Sequence, residues 1–200
     1  MSEVLKFDAV EHIYTVGGRV IPSVTQLMQK YEVVNTEWFG YQGRVRGKHV
    51  HTATQYWDMG NLDETSVDPI IKPYLDAYKK FSYELDFKIK QIEVQAFDPV
   101  NWYAGTWDRL IRWKDRIILF DIKTGCRPPW VHIQLAAYKN LLKRLGILVD
   151  ECYSLHLRGD GTYRFDKVAM VKIIEGWREF QAMCLVDQMA QKYQKQGVVV

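Results

Sequence analysis

Cysteine is scarce: the 200 residues contain three, Cys126, Cys152 and Cys184, far apart and without a C-x-x-C pair. That pattern indicates neither a disulfide framework nor a zinc or iron–sulfur site, and a reducing setting fits it best. Long apolar runs are lacking too. The opening stretch MSEVLKFDAVEH is acidic, and no apolar stretch approaches the ~20 residues of a membrane span. A soluble chain with no membrane partner is expected. Charge of one sign is not in excess: 27 Lys and Arg against 24 Asp and Glu leave +3, so any surface for a polyanion must be a local patch. No internal repeat or low-complexity segment interrupts the chain.

What is present is a 48% hydrophobic content, enough for one compact domain over 1–200. Aromatic residues reach 14%, with seven Trp, as an aromatic core or as exposed stacking surfaces would require. HIYTVGGRVIP reads as a hairpin turning at Gly17–Gly18, with Ser23 as the N-cap of a helix running to Tyr31. A second helix is expected over about 36–57, interrupted by Gly40, Gly43 and Gly47. After the acidic loop DMGNLDETSVDP, Tyr74, Leu75, Tyr78 and Phe81 recur at helical spacing. From Phe87 the period becomes two, predicting three antiparallel strands with a turn at DPVN and another at Lys114–Asp115. A helix over about 130–145, a hairpin turning at GDG and a long helix over about 166–195 complete the chain. The expectation is a mixed α/β fold with its sheet covered by helices, divided into a helical part at about 23–82, a core at about 87–165 and the last helix.

The strands carry charges that buried strands ordinarily lack. In GTWDRLIRWKDRIILFDIKTG, a tight turn at Lys114–Asp115 sets Trp113 opposite Arg116 and, by continuation, Asp108 opposite Asp121. Like charges so placed repel unless a cation lies between them. Lys123 points the same way as Asp121, and a turn at DPVN sets Glu93 opposite Thr106, on the face of Asp108. This deduction is conditional on register. Because IILF makes the Asp121 strand apolar on both faces, it reads as central and covered rather than solvated. Carboxylates buried there call for a hard dication with oxygen ligands, Mg²⁺ or Mn²⁺.

These residues resemble the RecB-like branch of the PD-(D/E)XK nuclease superfamily. The matching motifs are Gly105-Thr-Trp-Asp108, Asp121-Ile-Lys123-Thr-Gly125 and Gln134-Leu-Ala-Ala-Tyr138, in that order. Upstream, Arg46-Gly47 followed by His51 resembles the family's R-G-x-x-x-H element. Ile21-Pro-Ser-Val-Thr25 is similar to a segment of phage-type members and of the mitochondrial genome maintenance exonuclease. The resemblance spans about 12–140 and implies a restriction-endonuclease-like core. It implies that Asp108, Asp121, the carbonyl of Ile122 and His51 hold metal, that Lys123 orients or deprotonates the attacking water, and that Glu93 is an accessory acid. Several relatives carry an iron–sulfur cluster or a helicase module. This sequence has the motifs of neither, so no cluster and no ATP use are expected.

The remaining candidates have two readings each. Gln134 and Tyr138 share a helical face with Leu141, Leu142 and Leu145, and either overhang the metal face to bind phosphate or water, or simply pack. His49 and His51 diverge by about 200° on a helix, so only one can serve an ion. Arg44, Arg46 and Lys48, near Trp38 and Tyr41, either grip phosphates or form a solvated face. Ser23 and Thr25 either cap a helix or hold a phosphate at its positive end. The function expected is a metal-dependent deoxyribonuclease, an exonuclease on DNA ends or single strands in recombination, replication or repair. Alternatives are a non-catalytic DNA-binding accessory protein and a restriction-type endonuclease. Homo-oligomers or a recombination or replication partner protein, and the cytoplasm of a bacterium or phage-infected cell, are the corresponding setting.

Overall fold

A computed structural model describes residues 4–34, 40–125 and 128–194. Its centre is a five-stranded mixed sheet in the order β4-β5-β6-β7-β8, formed by β4 (Lys88–Asp98), β5 (Tyr103–Trp113), β6 (Arg116–Lys123), β7 (Glu151–Leu157) and β8 (Tyr163–Val168). All neighbours are antiparallel except β6 and β7. Those two run parallel because α4 (Val131–Arg144) carries the chain back between them. Helices α1 (Val24–Lys30), α4 and α5 (Met170–Gln194) share one core cluster with Leu110, Leu119 and Cys152 of the sheet. Helices α2 (Tyr41–Asp58) and α3 (Lys72–Leu85) share another with Ile111, Ile118, Phe120 and Ile122. The expected mixed α/β fold, its sheet covered by helices, is what is found. Residues 118, 119 and 120 alternate between the two cores, which is why β6 reads as the unbroken run IILF.

The β5–β6 hairpin turns at Lys114 and Asp115, with φ of 46° and 61°. Two left-handed residues give the turn that matches strand twist, and Trp113 pairs with Arg116 as expected. The ladder stops at Arg109 opposite Phe120, so Asp108 and Asp121 are not a ladder pair, a correction to the sequence reading. The β4–β5 register also differs by two residues. Gln95, not Glu93, faces Thr106, because the chain turns between Asp98 and Tyr103 through four residues rather than two. Glu93 therefore falls between the pairs Ile92–Arg109 and Val94–Trp107, alongside Asp108, and itself has φ 49°. The β4–β5 register shifts once, between Ile89 and Gln91.

The N-terminal hairpin has a third strand that the sequence did not signal. β1 (Leu5–Asp8) pairs with β2 (Ile13–Val16), which pairs with β3 (Arg19–Ile21). Pro22 accepts the Ala104 N–H and Ser23 bridges Ala104, which fastens this sheet and the start of α1 beside β5. Ser23 caps α1 in a reciprocal box with Gln26. Helix α2 opens after Gly40, with Gly43 and Gly47 inside it; 36–39, and with them Trp38, lie outside the described residues, as does Cys126. The last helix begins at Met170 rather than 166, because Asp166 and Lys167 pair with Ser154 and Tyr153 as the end of β8. Its last predicted residue lies outside the described residues.

Candidate metal centre and its groove

Where β5 leaves β6, the Asp108 carboxylate takes the place of a ladder partner. Its Oδ2 accepts the Ile122 N–H at 2.6 Å, which leaves Oδ1 3.5 Å from His51 Nδ1. Glu93 Oε1 stands 3.7 Å from the same nitrogen. One ligand atom each from His51, Glu93 and Asp108 lie within 4.8 Å of one another. His51 reaches them from α2, its Nε2 3.0 Å from the Ile122 carbonyl. That carbonyl, expected to face metal, thus also orients the imidazole. His49, two residues away, is exposed and outside the cluster.

Burial and the mutual repulsion of carboxylates set the electrostatics of this group. Burial alone would lower the His51 pKa, but Asp108, the hydrogen bond and charge of Glu93, and Asp121 outweigh it and push it up to about 9. Burial pushes the Asp121 carboxyl up to about 6, with Lys123 opposing and Asp108 reinforcing. Asp108 is raised too, first by burial and then by Glu93, against His51 and Lys123. Raised pKa values among clustered, buried acids are what a bound cation would relieve. A hard dication fits the donors present: oxygens of Glu93 and Asp108, the imidazole of His51, with Asp121 beside them.

Lys123 extends the group toward α4. Its ammonium is 2.6 Å from Asp121 Oδ2, donates to Gln134 Oε1 at 2.9 Å and lies 5.3 Å from the centre of the Trp130 ring. Gln134 in turn donates to the Tyr138 hydroxyl at 3.0 Å. These three side chains form one hydrogen-bonded row, with Gln134 and Tyr138 buried. Gly105 is required by the same row: a Cβ there would stand 2.8 Å from Tyr138 Cε1 and 3.0 Å from Val24 Cγ2.

Two cavities meet at His51 and Lys48. The larger, about 840 Å³, is lined by Ser23, Thr25, Arg44, Glu93, Asp108 and Tyr138, among others. The smaller, about 280 Å³, is lined by Arg46, Lys123, Thr124 and Trp130. Arg44 and Lys48 are exposed at this surface. Arg46 instead donates to the Thr124 carbonyl at 2.9 Å and lies over Tyr74, bracing α2 against the end of β6. The Ser23 hydroxyl is engaged in its cap. The Tyr41 side chain lies outside the described residues.

One feature escaped the sequence reading. Arg109 is fully buried, and its guanidinium donates to Asp58 Oδ2 at 2.5 Å, Glu93 Oε1 at 3.1 Å, the Asp108 carbonyl at 2.7 Å and Thr54 Oγ1 at 3.2 Å. It ties α2 to β5 directly behind the cluster and fixes Glu93. An arginine next to Asp108 in an otherwise apolar strand was the available signal.

By sequence the chain matches no protein-family model and no curated protein. By structure it is similar to a candidate exonuclease from Eubacterium rectale, with 10% identity and a TM-score of 0.54, covering 78% of this chain and 69% of that one. The exonuclease LHK-Exo in complex with dAMP is a weaker likeness, at 14% identity, 88% and 92% coverage and a TM-score of 0.44. Another structure of that enzyme, an alkaline exonuclease from Laribacter hongkongensis, aligns at 12% identity over 76% and 86%, with a TM-score of 0.35. The chain has the restriction-endonuclease-like fold: a mixed five-stranded sheet between helical layers.

Proposed function

We propose that this chain is a metal-dependent deoxyribonuclease of the RecB-like PD-(D/E)XK branch, acting as an exonuclease on DNA ends or single strands. The observation that carries the reading is the convergence of His51, Glu93 and Asp108, with Asp121 and Lys123 beside them, on one groove. Mg²⁺ or Mn²⁺ held there would supply charge for the phosphorane-like transition state and hydroxide near neutral pH.

In this reading His51, Glu93 and Asp108 would hold the ion, with Asp121 and the Ile122 carbonyl as further oxygen donors beside them. Lys123, anchored by Asp121 and Gln134, directs its ammonium to the attacking water or to a phosphate oxygen. Tyr138 and Gln134 keep Lys123 in place and add a polar edge to the groove. Arg44 and Lys48 attract phosphates along the strand, and Thr25 offers a further hydroxyl. Ser23 and Arg46 support this wall through the bonds they already make, a narrower part than phosphate binding.

The test is incubation with labelled single-stranded, blunt and circular DNA in Mg²⁺, Mn²⁺ or EDTA. Shortening of strands with open ends, absence of cuts in circles and no reaction in EDTA are expected. Asp121→Ala and Lys123→Ala should abolish cleavage with the far-UV spectrum unchanged; hydrolysis retained by either purified variant would refute the assigned site.

A further inference from the structure

The N-terminal hairpin contributes rings to the large groove that no step of hydrolysis uses. Phe7 and His12 line the same 840 Å³ cavity as His51 and Asp108. Phe7 stacks on Tyr14 at 4.5 Å between centroids and 28° between planes, and His12 stands nearly perpendicular to both, 5.2 Å and 5.6 Å away. Tyr14 is buried beneath, and its hydroxyl meets Thr106 Oγ1 at 2.6 Å, two residues from Asp108 on β5. The ring group is thus fastened to the strand that carries the metal centre.

Packing of the hairpin explains Tyr14 but not His12. His12 is exposed, has φ 54°, and among the described residues makes no hydrogen bond or ion pair. A non-glycine residue pays conformational energy for that backbone. The turn before it is held by Asp8, whose Oδ1 accepts the N–H groups of Val10 and Glu11, and the imidazole stands edge-on to Phe7 and Tyr14. Across the cavity, Lys48 of α2 is near enough for its charge to act on His12. A cation on one wall and aromatic rings on the other are the two parts of a single-strand binding channel: phosphates follow the charge and bases stack on the rings.

We propose that Phe7 and His12 form a stacking site for a nucleobase of single-stranded nucleic acid, on the strand whose phosphate reaches the Asp108 centre. The inference deepens the nuclease reading by assigning a base-bearing, unpaired strand as the ligand of this groove. Stacking has no sequence preference, so the site recognises an unstacked base of any identity.

The experiment measures anisotropy of a labelled single-stranded oligonucleotide, and of the same oligonucleotide made fully abasic, with the full chain in Ca²⁺. The variants are His12→Ala, at an exposed position, and Phe7→Leu, which keeps apolar bulk without the ring. Each should weaken binding of the base-bearing strand by about 5-fold to 100-fold. Neither should change binding of the abasic strand by more than about 2-fold, since that strand carries no base to stack on either ring. Unchanged affinity for the base-bearing strand, or equal losses on both strands, would overturn the proposal. Cleavage of the base-bearing strand in Mn²⁺ by the wild-type chain reads the nuclease assignment separately. Intact strands with the binding pattern retained would remove the hydrolysis and leave the stacking site, whereas normal cleavage with unaltered variant binding would do the reverse.

Discussion

His51 links charge to stability in a way that metal should reverse. Its pKa rises from 6.5 to about 9 in the folded chain, so the native state holds this proton more tightly than the unfolded state does. Stability from His51 is therefore fully present below pH 6.5 and lost as pH rises toward 9. Asp121, raised from 3.8 to about 6, acts in the same direction at lower pH, because its ionisation is more costly in the native state. In EDTA the thermal midpoint should fall as pH rises from 5.5 to 9. In saturating Mn²⁺, where the cation takes the place of the protons, the fall should disappear; parallel profiles in the two conditions would contradict the account. Arg109 acts on stability by a separate route. Arg109→Met leaves Asp58 and Glu93 without their buried counter-charge and should destabilise by about 3–5 kcal/mol in urea unfolding. Adding Asp58→Asn should recover part of that loss, and a neutral Arg109→Met would show that the network contributes nothing. The acids of the site were legible in the sequence because IILF marks the Asp121 strand as central and covered, where a carboxylate needs a partner. Arg109 was not, since its partner Asp58 lies on another element, 51 positions away.

At the scale of elements, the packing of α4 against α5 depends on one small residue. A Cβ on Gly176 would stand 2.8 Å from the His132 carbonyl oxygen and 2.9 Å from Ile133 Cα, both backbone atoms that cannot rotate away. Gly176→Ala adds about 1 kcal/mol of helix propensity yet forces the helices apart, and repacking of this kind costs about 1–3 kcal/mol. A lowered urea midpoint is expected, and an unchanged or raised one would show that the helices yield. Because α4 carries Gln134 and Tyr138, the same displacement reaches Lys123. Element identity was readable from periodicity, but register was not. The DPVN segment reads as a two-residue turn, and a four-residue loop moved the β4–β5 pairing by two positions. A shift of two preserves side-chain faces, which is why Glu93 still arrives beside Asp108. The register shift between Ile89 and Gln91 is a local irregularity that no alternation pattern encodes. β1 was missed because LKFD is short and half polar, and gains its strand state only by pairing with β2.

Across the whole molecule, the fold sets two buried faces of one sheet against two helical layers and opens them where β5 and β6 part. That opening receives His51 from α2, Glu93 from β4, Asp108 from β5, Asp121 and Lys123 from β6 and Gln134 from α4. With only +3 of net charge, any affinity for a polyanion must come from a local surface such as this groove rather than from the field of the whole molecule. The ordered motifs made the acids and the lysine visible in sequence. The groove wall built by the N-terminal hairpin was not visible, because it depends on a small sheet docking beside Ala104. All of it rests on a dication being bound among these carboxylates. Calorimetric titration of Mn²⁺ into the metal-free wild-type chain and into Asp108→Asn measures this directly. Saturable binding to the wild type, with proton release at pH 7.5 from His51, and its loss in Asp108→Asn are expected; absence of binding to the wild type, or equal binding to both, would contradict the assigned metal centre.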